Sequence, residues 1–460
     1  MPRLTSQLTV LALAVVGCGG DDGTCDPMAQ TGCDDGKVCE TVTDGEPTCF
    51  EPVGINGRVF DLSSQQPIRG ANIVAVDVNG AAVSNVVTSG DDGKYRLPIP
   101  TQRNADGTPV SLEGSVTLRA DAQGYQSFPG TLRQPLPIDI ATAADVAGAL
   151  IVKSALTDLG LLAATEVGAG IIRGTVEVPK DNTGIIVVAE ADGVGHAVVA
   201  ARNGDYAILN LPAGTFNVTA YATGHNYLGA SVDVSSKAVD LDIKLGTGEA
   251  SAVSGQMGIV DSGGASLTSV VLFIESTFDP ITGRGVTVPG LRAGDVSTAF
   301  TIEAVPAGNY VVVAAFENDG LVRDPDLCIA GTDDVHIQVA AATPLAIPDS
   351  FKVTGALSVV EPGALGAEMV LGDPTFSWGD DAGEDQYLVE LFDAYGQLAW
   401  SKTMAGVSSG TPSMLYDGAP LQASMYYQFR VTSSALGGGM NAVRCSRSRT
   451  EDLKGVFYVP

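Results

Sequence analysis

The chain has 460 residues, 45% of them hydrophobic, and 53 acidic against 25 basic side chains give a formal charge of −28. A surface that acidic repels polyanions, which excludes nucleic acid as a partner. Length alone allows about three domains of ~150 residues. The 56 glycines follow no Gly-X-Y period and are set among Val, Ile, Thr and Ala runs, so many turns join many short strands and the expected fold class is all-β.

Arg3 precedes an apolar segment from Leu8 to Gly17. A membrane-spanning helix needs about twenty apolar residues, and this segment has the length of a secretory h-region instead. It closes on Val15-Val16-Gly17-Cys18, which resembles the lipobox of bacterial lipoproteins. The resemblance implies a signal peptide over 1–17, cleavage before Cys18, a diacylglycerol on its sulfur, an acylated amine and a short lipidated linker over 18–24. At about 0.8 kcal/mol per buried CH₂, several chains hold a protein to a bilayer durably. Beyond Cys18 the most apolar stretch, 146–167, is interrupted by Lys153, Asp158 and Glu166, so membrane contact is expected through the lipid alone. Gly19 is neutral, where aspartate is the inner-membrane retention signal of enterobacterial lipoproteins, and the expected location is the cell envelope at the outer membrane.

Four cysteines, Cys25, Cys33, Cys39 and Cys49, crowd a polar segment over 25–50. So short a segment builds no core of its own and needs cross-links, and an exported chain reaches an oxidising compartment. Two disulfides are expected, with three connectivities open. The spacing lacks the C-x₂₋₄-C pairs of zinc modules, so no metal is expected. Rich in Asp, Gly and Thr, this collar reads as a hydrated spacer that lifts the rest off the membrane. Cys328 and Cys445 remain, and the even count makes them a candidate disulfide joining the last two modules.

From there one pattern recurs. Ile55-Asn56-Gly57-Arg58-Val59, Ile172-Arg173-Gly174-Thr175-Val176 and Val253-Ser254-Gly255-Gln256-Met257 each read as the first strand of a module. Asp91-Asp92-Gly93-Lys94-Tyr95 and Asn203-Gly204-Asp205-Tyr206 supply left-handed turns that open a strand. Leu211-Pro212-Ala213-Gly214 and Val305-Pro306-Ala307-Gly308 make tight turns before the next strand. Together these blocks resemble the carboxypeptidase regulatory-like domain, a transthyretin-like β-sandwich grouped with carbohydrate-binding-like folds. The resemblance implies modules over 53–165, 168–247 and, in divergent form, 250–350. The first inserts a polar loop, Thr101 to Pro109, and a short helix is expected from Thr142 to Lys153, then an edge strand over 156–162.

Beyond Phe351 the texture changes to Phe376-Ser377-Trp378, an alternating strand from Asp385 to Asp393, and Tyr427-Gln428-Phe429-Arg430-Val431. This order resembles a fibronectin type III-like sandwich, implied over 351–460, with Trp378 and Trp400 expected in its packing.

Chemistry is harder to find. Gly406-Val407-Ser408-Ser409-Gly410 matches G-x-S-x-G as a string, but no helix pattern and no histidine follow it. His196, His225 and His336 stand apart from one another, without zinc-ligand spacing. The turns at Asp77-Val78-Asn79-Gly80 and Asp91-Asp92-Gly93 could offer oxygens to calcium, yet lack an EF-hand ligand series. No catalytic residue, cofactor or metal is expected. The expected function is a structural or adhesive envelope stalk that meets a protein partner or a glycan, with carbohydrate binding as the alternative.

Overall fold

Along Lys94–Ile99 burial alternates strictly, with Tyr95, Leu97 and Ile99 inside and Lys94, Arg96 and Pro98 outside. That period of two is what a strand with one face on a core requires, and it organises most of the chain. The computed structural model describes residues 25–27, 32–34, 36–76, 83–110, 116–129, 136–164, 168–180, 184–200, 203–260, 267–280, 283–314, 320–323, 334–348, 350–381, 383–437, 443–452 and 454–460. Among them there is no α-helix, only strands and three single 3-10 turns. No helix among the described residues is long and apolar enough to cross a membrane. The protein is all-β, with tandem β-sandwiches behind a small disulfide-linked module.

Three successive sandwiches share one wiring. In each, the opening strand (Val53–Asp61, Gly170–Thr175, Ser251–Val260) pairs antiparallel with the strand after the hairpin turn (Lys94–Ile99, Asp205–Leu211, Ala299–Val305). Its other edge receives a late strand in parallel, Ala149–Val152, Ala238–Asp240 or Leu345–Ala346. The facing sheet pairs Asn72–Val76 with Thr117–Asp121, Ile186–Ala191 with Gly214–Tyr221, and Thr268–Ile274 with Gly308–Ala314. Phe351–Gly355, counted with the last module on sequence texture, pairs with Met257–Val260 and completes the third sandwich's sheet.

The recurring glycine of the opening strand has a steric reason. A Cβ on Gly57 would sit 1.8 Å from the Thr157 carbonyl oxygen, and one on Gly174 2.0 Å from that of Leu241. The same carbonyls accept hydrogen bonds from the hairpin tyrosines, Tyr95 Oη at 2.7 Å and Tyr206 Oη at 2.8 Å. Glycine, tyrosine and a returning carbonyl thus form one latch, present twice. In the third sandwich Phe300 takes the tyrosine's place and its ring lies against Gly255; without a hydroxyl that latch is lost.

Junctions also repeat. Asn210, left-handed at φ 62°, donates through Nδ2 to the Ala122 and Tyr125 carbonyls at 3.0 Å and accepts from Gly124 N at 2.8 Å. Ala304, the matching bulge residue of the third sandwich at φ 58°, accepts from Gly224 N at 2.7 Å. An Ala-x-Gly loop of one sandwich therefore receives the bulge of the next, first to second and second to third.

The stretch expected as a helix over 142–153 is a β-hairpin, Ala144–Val146 paired with Ala149–Val152. Ala147 and Gly148 both take positive φ at its tip, and Ile151 and Val152 are buried as the hairpin joins the opening strand. The edge strand beyond it is shorter than expected, Leu159–Leu161.

The fourth sandwich stacks a three-stranded sheet, Val359–Glu361, Thr375–Trp378 and Ser413–Leu415, against a larger one built on Met425–Leu436 and Gln386–Asp393. Phe376 stacks on Phe429 at 4.8 Å and Trp378, fully buried, meets Tyr387 edge-on at 5.3 Å. Trp400 is half-buried on Phe376 and donates from Nε1 to Asp417. This sandwich touches both the third and the first. Ser448 Oγ donates to the Gly355 carbonyl at 2.6 Å, and Leu357 N to that of Arg449 at 2.9 Å. Tyr395 lies edge-to-face on Phe60 at 5.6 Å, within a single hydrophobic cluster that runs through the first and fourth cores. An end-to-end row is thus folded back on itself, because Phe60 and its neighbours at the base of the first sandwich are apolar and find cover there.

The collar, too, departs from a spacer. Its strands Val38–Glu40 and Thr48–Phe50 pair, and disulfides join Cys25 to Cys39 and Cys33 to Cys49. Glu40 is fully buried and paired with Arg103, itself 2% exposed, from the insertion of the first sandwich. Thr101 N donates to the other carboxylate oxygen at 2.8 Å. Arg103 also donates to the Glu51 and Gly107 carbonyls and lies over the Phe50 ring. The polar loop is a socket, and the collar is fixed in it.

With sequence separations of 14 and 16, each disulfide is worth about 3 kcal/mol in chain entropy. Reduction is therefore expected to raise hydrogen exchange at the Val38–Glu40 and Thr48–Phe50 amides towards unfolded rates while the sandwich strands stay protected. Exchange unchanged in reductant would show that the socket alone holds the collar.

Candidate functional site

The strand Phe216-Asn217-Val218-Thr219-Ala220-Tyr221 sends Phe216, Val218 and Ala220 into the second core and Asn217, Thr219 and Tyr221 to the opposite face. Across that face Glu190, Asn217 and Ser231 are register partners on three neighbouring strands. Beside them Val188 pairs with Thr219, and Gly229 follows with no side chain to fill the space. These residues line a groove of about 270 Å³. Two of its lining residues, Val188 and Tyr221, also join Ile186 in the hydrophobic cluster of Val270, Leu272 and Tyr310 of the third sandwich. Tyr221 meets Tyr310 edge-on at 6.1 Å.

Among the described residues the side chains of Glu190, Asn217, Thr219, Ser231 and Tyr221 hold no hydrogen-bond partner, although all five line the groove. Burial, reinforced by the Glu190 carboxylate, pushes the Tyr221 phenol up to about 12, so it stays a neutral hydroxyl at neutral pH. Among the described lining residues the one formal charge is Glu190. Among the described residues no lysine, arginine or histidine lines the groove.

The residues singled out in the sequence lie elsewhere. His196 packs edge-on against Phe216 with its pKa lowered by burial, His336 Nδ1 is 2.7 Å from Glu275, and His225 sits on a separate strand pair. None of the three lines the groove. Ser408 is exposed in the loop between Leu398–Ala405 and Ser413–Leu415, with strands on both sides rather than a helix. Asp91 pairs with Arg69 at 2.9 Å and Asp92 with Lys94 at 2.6 Å, so those turn carboxylates already have cations; 77–80 lie outside the described residues. Sulfurs of Cys25, Cys33 and Cys39 lie within 4.8 Å of one another, but as members of two disulfides they offer no thiolate. Cys445 is buried and disulfide-bonded, while Cys18 and Cys328 lie outside the described residues.

The groove escaped the sequence reading because its residues come from three strands between 188 and 231. The available signal was the alternation Asn217, Thr219, Tyr221 opposite a core face, which marks an outer face that carries polar groups and one aromatic.

No family model matches the chain, and no curated protein does. Among solved structures it is similar to two B repeat units of the collagen binding protein of Staphylococcus aureus, at 11% identity over 87% of this chain and 100% of that one, with a TM-score of 0.17. A streptococcal ancillary pilin matches at 14% identity over 66% and 99%, TM-score 0.17. A DUF3823 family protein from Bacteroides ovatus matches at 12% over 46% and 100%, TM-score 0.21. At those scores the likenesses bear no weight on function.

Proposed function

We propose that this is a non-enzymatic protein of the bacterial cell envelope, lipid-anchored at Cys18 at the outer membrane, whose sandwiches serve a structural or adhesive role towards an envelope protein. The first three sandwiches are assigned as carboxypeptidase regulatory-like and the fourth as fibronectin type III-like, with Cys328 as the partner of Cys445. The observation that carries the reading is the run Val15-Val16-Gly17-Cys18 just upstream of a collar held by two disulfides, a bond type that persists in oxidising compartments. Support for a non-enzymatic role comes from the scattering of the histidines and Ser408 away from the groove. A glycan platform would call for exposed aromatic faces, and among the described residues every Phe, Tyr and Trp is buried or half-buried.

Expressed with its leader, the protein is expected in the membrane fraction and labelled by radioactive palmitate. Cys18→Ala is expected to abolish the label and release the chain from the membrane fraction. An unlabelled wild-type chain that sediments with membranes would overturn the lipid anchor.

A further inference from the structure

We propose that the groove on the second sandwich is a binding site for an organic cation with several N–H donors, of the size of a lysine or arginine side chain. The inference stands independently of how the chain is anchored. Its acceptors are arranged as a row: the Glu190 carboxylate, the Asn217 carboxamide oxygen and the Ser231 hydroxyl on adjacent strands, with the Thr219 and Tyr221 hydroxyls behind. Only the Asn217 NH₂ is an obligate donor. None of these groups is satisfied within the described protein, so the hydrogen-bonding capacity of the site is directed outward.

Charge selects among ligand classes. An anion would meet Glu190 with no lysine, arginine or histidine among the described lining residues to offset it. An apolar ligand would strip water from a carboxylate without replacing it, which is costly. A cation gains a charge-assisted hydrogen bond to Glu190 and is drawn in by a chain of net charge −28. Size agrees: about 270 Å³ lies just under the ~300–1,000 Å³ of drug-sized pockets. The groove admits a side chain rather than a large cofactor. Val188 and the Tyr221 ring supply an apolar wall for a methylene stem, and a ring face also suits a guanidinium.

The test is titration calorimetry on the folded chain with Nα-acetyl-lysine methylamide, its arginine counterpart, the uncharged norleucine analogue and N-acetylglucosamine. The lysine or arginine amide is expected to bind, and the norleucine analogue and the sugar are not. Glu190→Gln is expected to weaken binding roughly tenfold or more, the scale of one hydrogen bond to a charged group. Gly229→Val fills the groove while keeping its charge and is expected to abolish binding. A Cβ at Gly229 meets nothing closer than 3.5 Å, so that variant should fold, which circular dichroism verifies. Absence of binding by either cation at millimolar concentration would overturn the proposal. So would cation binding that neither substitution changes, which marks general attraction to an acidic chain, or preferential binding of the sugar.

Discussion

Arg103→Ala is expected to destabilise the protein by about 3–5 kcal/mol, the cost of leaving one partner of a buried ion pair uncompensated. Glu40 is fully buried, and among the described residues the cation at its carboxylate is Arg103. Burial already raises the Glu40 pKa, against the hydrogen bonds from Arg103 and Thr101 and the Arg103 charge that lower it. The sign follows. A carboxyl raised in the folded state contributes stability that is fully present below its unfolded pKa and lost as pH rises through its folded value. Removing Arg103 raises that value further, so the loss in Arg103→Ala should be greatest near neutral pH and shrink on acidification as Glu40 takes up a proton. Urea unfolding across pH measures it. Hydrogen exchange at Thr43 and Arg103, whose amides bridge collar and socket, reports whether the collar leaves first. A double replacement, Glu40→Leu with Arg103→Met, is expected to recover at least half of the loss, since a buried pair adds little over apolar isosteres. Stability within 1 kcal/mol of wild type for Arg103→Ala would mean that water reaches Glu40 and the socket is open.

That socket shows where sequence reading stops. Asp91-Asp92-Gly93 and Pro212-Ala213-Gly214 announce turns because left-handed and tight backbone geometry needs those residues locally. The repeated Gly57 and Gly174 were visible as a motif, and the carbonyls of Thr157 and Leu241 that explain them lie about 100 and 67 residues further on. Thr101 to Pro109 reads as a solvated loop because it is polar, yet polarity there serves a buried partner, Glu40, from another module. The Ala144–Val152 segment has helix-forming composition, but Ala147 and Gly148 turn it and the edge of the opening strand captures it. Local signals name strands and turns. Pairing across long separations decides what each polar residue is for, and the groove at Glu190, Asn217 and Ser231 is such a case.

Asp452→Asn is the second large effect, and it bears on whether the fourth sandwich stays folded back. The Asp452 carboxylate pairs with Arg284 from the third sandwich and with Arg430 of its own sandwich at 3.0 Å. Gly320 N donates to the neighbouring Glu451 at 2.6 Å. Burial raises the Asp452 pKa, but Arg284, Arg430 and Arg449 overcome it and hold the carboxyl well below the usual carboxylate range. Arg430 in turn is pulled down to about 10 by burial, with Asp452 opposing. Replacing the carboxylate by an amide leaves three guanidiniums facing one another. A loss of about 3 kcal/mol is expected, at the lower end of the range for breaking a buried pair, because Arg284 keeps 32% of its side chain in water. For a depressed carboxyl the stabilisation is present above the unfolded pKa of ~3.9 and declines as pH falls towards the folded value. The difference between wild type and Asp452→Asn should therefore be level from about pH 7 to 5 and narrow below about 4. Limited proteolysis near Gly355–Leu357 is expected to accelerate in the variant, since the hydrogen bonds of the Ser448 hydroxyl and the Arg449 carbonyl to that segment lose their electrostatic support. A difference that grows on acidification would place the stabilising charge on a group other than Asp452.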